Sequence, residues 1–252
     1  MPLCSQTKLL LNFDGVNGAT TTTDSSASPA AITMGAGNTI ATAQSIAGGS
    51  SFKITAIGGL TDTVAKLILG SNDFCIECWA RVDSVLNSPI QTKTEIWRWF
   101  DDATGSLGLE FLDWDLNPGN TGSIRVRGNV PDPGITVATG LVLMDTWNHV
   151  AMTRQVVGAN ETIRVFLNGA LVYSNSQALV ANTGTVAHFQ LGNDTGNRPL
   201  LGYMDEFRFV VGSPVYTAAF TPPLQAVCDS IADASTMSTV PVFVRRYIRR
   251  RK

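Results

Sequence analysis

Apolar and polar residues alternate with a period of two along most of the chain, and no segment sustains a helical period. The pattern predicts strands over 7–13 (TKLLLNF), 52–57 (FKITAI), 73–82 (DFCIECWARV), 95–100 (EIWRWF), 107–112 (LGLEFL) and 123–128 (SIRVRG). The C-terminal half adds 147–155, 162–168, 170–174, 187–192 and 200–211. Val, Ile, Phe, Tyr and Trp fill these runs, and Gly, Asn, Asp and Pro separate them. Asn168-Gly169, between two such runs, predicts a type I′ hairpin turn, whose central residues both need positive φ. Many short strands and no helix of consequence predict an all-β fold of two antiparallel sheets packed face to face. Residues 14–50, rich in Gly, Ala, Ser and Thr, read as loops and edge strands, and 113–122 as a turn. Beyond Pro222-Pro223 the chain is expected to leave the sandwich.

Composition narrows the picture. Only 15% of the 252 residues are charged, against roughly 25% in an average soluble domain, so Ser, Thr, Asn, Gln and Gly must supply much of the surface. The length suits a single sandwich of about 200–250 residues. No run approaches the roughly 18–20 apolar residues of a membrane span, and MPLCSQTKLLLNF has no small-residue cleavage pattern, so no secretory leader is expected. The net charge of −2 conceals an asymmetry. Arg245, Arg246, Arg249, Arg250, Arg251 and Lys252 place six positive charges in the last eight residues, leaving 12 basic against 20 acidic residues, or −8, in 1–244. The expected organisation is a lead-in over 1–6, a sandwich over 7–227 and a basic docking arm over 228–252.

The arm VPVFVRRYIRRRK admits two readings. Its cations could meet nucleic-acid phosphates. Alternatively Phe243, Tyr247 and Ile248 insert into a neighbouring protein while Arg245, Arg246, Arg249, Arg250 and Arg251 meet its acids. Closely spaced large apolar residues favour docking. Cys75 and Cys78 point to opposite faces of one strand, which frustrates chelation and a local disulfide alike. Cys4 and Cys228 flank the body and could meet, with free thiols as the default. Trp97 and Trp99 read as core, whereas Trp114, in a polar turn beside carboxylates, is the candidate glycan platform. In DEFR, Asp205 and Glu206 point to opposite faces, and Glu206 is expected to pair with Arg208 on its own face.

Several segments occur in a telling order: LLLNFDG (9–15), F-x-I-E-x-W (74–79), W-N-H-V-A-x-T-R (147–154), I-x-V-F-L-N-G (163–169), F-x-L-G (189–192), L-G-Y-M-D-E-F-R (201–208) and Y-x-x-x-F-x-P-P (216–223). This set resembles the concanavalin A-like lectin/glucanase superfamily, in its laminin-G-like, pentraxin-like branch, and its close form is similar to proteins of tailed bacteriophages. The resemblance implies a jelly-roll β-sandwich and, in many members, carbohydrate binding. It also implies a calcium site, for which the matching loops offer Asp101, Asp102, Asn193 and Asp194. The glucanase pattern E-x-D-x-x-E is absent, so a non-enzyme is expected. The implied role is a structural protein of a tailed-phage virion, assembled in the host cytoplasm. It would be a capsid decoration protein anchored by its arm to capsid or tail proteins, self-associating and touching glycans. A tail-borne adhesin is the alternative.

Overall fold

The structure is a computed structural model that describes residues 3–55, 60–63, 67–84, 94–101, 106–112, 121–128, 135–193 and 198–226. After a 3-10 turn at Leu3–Ser5, the first strands are β1 (Thr7–Leu11), β2 (Thr21–Thr23), β3 (Ala31–Met34), β4 (Thr39–Ala41), β5 (Ser51–Ile54) and β6 (Leu60–Thr63). The long strands β7 (Phe74–Val82), β8 (Thr94–Asp101), β9 (Ser106–Leu112), β10 (Thr121–Gly128) and β11 (Ile135–Leu143) follow. The last five are β12 (Asn148–Val157), β13 (Asn160–Leu167), β14 (Ala170–Ala178), β15 (Ala187–Leu191) and β16 (Gly202–Val211).

Two eight-stranded sheets result. Sheet A runs β14-β13-β12-β7-β16-β5-β4, with β1 also paired to β16; sheet B runs β11-β10-β9-β8-β15-β6-β3-β2. Side chains alternate across each strand, so one row of every central strand enters the space between the sheets. Ile76, Trp97, Trp99, Phe111, Val126, Met152, Val165, Phe189 and Phe209 fill it. The all-β antiparallel architecture and the buried Trp97 and Trp99 agree with the sequence reading. Among the described residues no helix is long and apolar enough to cross a membrane.

The hairpin forms as expected, with Asn168 at φ 49° and Gly169 at φ 80°. Three expectations need correction. Glu206 does not pair with Arg208: the β16–β7 register shifts between Asp205 and Arg208, and Glu206 occupies this bulge at φ 52°. The chain does not leave the sandwich at Pro223, because Ala226 remains buried against it. Cys4 is not a free thiol but disulfide-bonded. Cys228 lies outside the described residues, while Cys75 and Cys78 are free and buried. Cys75 lies in a small cluster with Tyr216 and Cys78 in the main core, as their opposite directions require.

Candidate functional site

Each sheet has an outer face, and the two are used differently. On sheet A, Glu77, His149 and Arg208 project outward from neighbouring strands because their strand neighbours Ile76, Val150 and Phe209 take the core side. Arg208 Nε donates to Glu77 Oε1 at 2.5 Å, His149 Nε2 lies 3.2 Å from Glu77 Oε2, and Arg208 also donates to the Tyr216 hydroxyl at 3.3 Å. Burial alone would raise the Glu77 carboxyl, but the Arg208 guanidinium and His149 hold it down at about 2. The segment after β16 lies over this network. Tyr216 and Phe220 stack at 3.5 Å, Phe220 meets His149 edge-on at 5.7 Å, and Trp79 Nε1 donates to Pro223 O at 2.9 Å. All the ionic groups of this network are buried, so the chain itself closes this part of the face to a ligand.

The outer face of sheet B carries charge instead. Glu95 on β8 stands directly opposite Glu110 on β9, and Glu110 stands opposite Arg125 on β10. Both glutamates are fully buried. Glu110 Oε1 accepts from Arg127 at 2.7 Å and from Arg198 at 2.9 Å, with Arg125 at 3.8 Å from Oε2. Burial first, and then the facing Glu110, push the Glu95 carboxyl well above the ordinary carboxylate range. Gly108 makes room for this, since a Cβ there would approach Glu95 Oε1 to 2.8 Å. Along the same face Arg98 lies opposite Gln190, and Phe100 opposite His188. The Phe100 and His188 rings stack at 4.9 Å, and both are half-buried, as are Arg98, Gln190, Arg125 and Arg127. Planar polar groups beside a partly exposed ring pair form a surface that can hydrogen-bond hydroxyls and cover the apolar face of a ring.

A third cluster surrounds the β16 bulge. Asp205 Oδ2 accepts from the Ile46 backbone N–H at 2.8 Å. Glu206 Oε2 accepts from Asn12 Nδ2 at 2.6 Å and from the Ala226 N–H at 2.7 Å. Burial pushes Asp205 up to about 8 and Glu206 up to about 7.

The sequence-derived candidates fare unevenly. Asp101 pairs with Ala187, whereas Leu191, two residues before Asn193, pairs with Trp97. Six residues along β15 and its exit separate the two ends, roughly 20 Å at about 3.4 Å per residue. Asp101 and Asn193 therefore do not share an oxygen cage, and Asp101 Oδ2 already accepts from the Gly184 N–H at 3.2 Å. Asp102, Asp194, Trp114 and the arm residues Phe243, Arg245, Arg246, Tyr247, Ile248, Arg249, Arg250 and Arg251 lie outside the described residues. Among the described residues no group of three or more His, Cys, Asp or Glu side chains could hold a metal ion. The sequence reading missed the Glu95–Glu110 pair and its arginines. Their signal was present in E-I-W-R-W-F, L-G-L-E-F-L and S-I-R-V-R-G, where charges alternate with core residues, but only the register sets them side by side.

A family model described as the concanavalin A-like lectin/glucanases superfamily (Laminin_G_3) matches residues 58–213. No curated protein sequence matches closely enough to serve as a relative. Domain 4 of AbnA, a GH43 extracellular arabinanase from Geobacillus stearothermophilus solved in complex with arabinotriose, is similar with a TM-score of 0.57 at 20% identity. That match covers 83% of this chain and 95% of that one. A Trypanosoma rangeli sialidase is similar with a TM-score of 0.52 at 13% identity, over 80% of this chain but 30% of its own. At such identities the likeness is one of fold.

Proposed function

The chain belongs to the concanavalin A-like lectin/glucanase superfamily, and on that premise we propose that it is a non-catalytic carbohydrate-binding protein whose ligand lies on the outer face of sheet B. One observation carries this reading: the Phe100–His188 stack and the polar row of Arg98, Gln190, Arg125 and Arg127 share one half-buried face, while the chain covers the ionic centre of the other. Arabinotriose in the arabinanase domain of similar fold supports it. A glycosidase role is disfavoured by geometry. Retaining enzymes hold their two carboxyls about 5–5.5 Å apart, and inverting ones farther. Glu95 and Glu110 stand opposite each other on neighbouring strands and are fully buried, so they flank no open site where a glycosidic bond could lie.

The finer setting belongs to the same proposal. The ordered motifs similar to tailed-phage proteins, with the six-charge arm, support a virion structural protein whose arm docks on capsid or tail and whose sandwich faces outward. Screening the full chain on a glycan array, with calcium and with chelator, tests the binding role. Binding to a defined glycan class is expected, with Phe100→Ala and Arg127→Ala each weakening it about tenfold, the loss of one stacking or charge-assisted contact. No binding in either condition overturns the proposal.

A further inference from the structure

We propose a second binding site, on the outer face of sheet A, that takes one neutral sugar residue independently of the sheet B face. It lies away from the covered Glu77 network, at the end of the sheet where β5 and β7 finish and β16 begins. Tyr203 on β16 stands opposite Lys53 on β5 and Arg81 on β7. Their strand neighbours Ile54, Met204 and Val82 take the core side, so these three side chains form one outward row across three strands. Beside this row opens a cavity of about 220 Å³, whose lining includes Lys53, Thr55, Asp83, Ser84, Leu201 and Tyr203. Pockets for drug-sized ligands enclose roughly 300–1,000 Å³, so this one suits a single ring rather than a chain of them.

The backbone around the cavity is fixed by the sheet. Leu201 O accepts from the Asp83 and Ser84 N–H groups at 2.9 and 3.3 Å. Gly202 lets β16 approach β7 closely, since a Cβ there would come within 2.0 Å of Arg81 O. Arg81 Nε holds Asp83 Oδ1 at 2.7 Å, and its Nη2 reaches Asp145 Oδ1 at 3.3 Å. The Tyr203 ring packs against Trp147, with centroids 6.5 Å apart, and its centroid lies 5.9 Å from Lys53 Nζ.

Unlike Glu77 and Glu110, whose carboxylates are engaged by cations, the polar groups here have hydrogen bonds left to make. Lys53 Nζ, Asp83 Oδ2, Ser84 Oγ and the Tyr203 hydroxyl have no hydrogen-bond partner among the described residues. Lys53 and Asp83 are close enough for the ammonium to lower the Asp83 carboxyl, which burial raises, yet they form no ion pair. A group that only donates beside a group that only accepts suits neighbouring sugar hydroxyls, each of which does both. Leu201 and the Tyr203 ring supply apolar surface for the C–H face of the sugar. Charge then selects a neutral ligand, because Lys53 and Arg81 balance Asp83 and Asp145 and leave no net field to attract an ion.

Ligand-observed NMR titrations of the full chain with the methyl glycosides of glucose, galactose and mannose test this, with methyl glucuronide as the anionic counterpart. At least one neutral glycoside should bind saturably. Lys53→Met should weaken that binding about tenfold, the loss of one charge-assisted hydrogen bond, and Ser84→Ala should weaken it less. Both variants should keep the wild-type melting temperature, since neither side chain belongs to the core. Phe100→Ala, on the other sheet, should leave the binding within about twofold. The proposal is overturned if no neutral glycoside binds, or if binding is unchanged in both Lys53→Met and Ser84→Ala. Binding lost in Phe100→Ala but kept in those two variants also overturns it, and places the sugar on sheet B with the reading of that face intact. A glucuronide that binds more tightly than every neutral glycoside, and loses this binding in Lys53→Met, overturns the assignment of a neutral ligand.

Discussion

Glu77 and Asp205 are both fully or nearly fully buried carboxyls, yet they couple to pH in opposite directions. Glu77 is held at about 2 because Arg208 and His149 outweigh its burial. Its folded pKa lies below the unfolded value near about 4.3, so its contribution is complete above that value and is lost as pH falls toward about 2. Asp205 and Glu206 are raised by burial to about 8 and about 7. Their contribution is complete below about pH 4 and is lost as pH rises through about 7 to 8. Thermal melts should therefore show greatest stability at mildly acidic pH, with a decline toward pH 8 that flattens in Asp205→Asn. A wild-type profile that climbs steadily to alkaline pH would refute this assignment. Glu77→Gln should cost about 3–5 kcal/mol in denaturant unfolding at neutral pH, because it strands Arg208, itself buried, without its counter-charge; a loss below about 1 kcal/mol would mean the pair is not the anchor described.

At the scale of elements, the β13–β14 hairpin and the segment after β16 depend on each other. Gly169 sits at φ 80°, and a Cβ there would come within 1.9 Å of Phe220 O, whose own N–H donates back to Gly169 O at 3.0 Å. Gly158, in the β12–β13 turn, has φ 63° and open space around it. Both pay the left-handed backbone penalty of about 1–2 kcal/mol on replacement by alanine, so the excess at Gly169 measures the contact with Phe220. Gly169→Ala should lower stability clearly more than Gly158→Ala and raise protease sensitivity over 213–226; equal losses would show that the contact is dispensable. The hairpin was legible because Asn-Gly is a local signal. Strands β7, β12 and β16 were legible because their alternation meets a full core. β11 was not, since only Ala138 and Val142 of its nine residues are buried and Gly140 interrupts it. The sheet B site was half legible: residue types and facing follow from alternation, whereas the Glu95–Glu110 and Phe100–His188 juxtapositions depend on strand order and on the β8 register shift between Glu95 and Trp97. The separation of Asp101 from Asn193 was hidden for the same reason, since loops that follow neighbouring antiparallel strands emerge at opposite ends.

For the whole molecule, the governing asymmetry is electrostatic. A body of −8 over residues 1–244 ends in six cations within eight residues. The described chain holds to the sandwich as far as Ala226, whose N–H is bound by Glu206 and whose carbonyl accepts from Asn12 Nδ2 at 3.0 Å. If the arm serves docking, as proposed, removing 241–252 leaves the described core and its hydrogen bonds in place. The truncated chain should melt within about 1 °C of the full chain, as a ΔΔG near zero requires. Its glycan profile should be unchanged, since the sheet B face is intact. What should be lost is attachment. If the arm anchors the protein to a particle, the truncated form should fail to co-sediment with particles that retain the full chain, and rising salt should release the full chain by screening its arginines. Normal incorporation of the truncated form would remove the arm from the anchoring role.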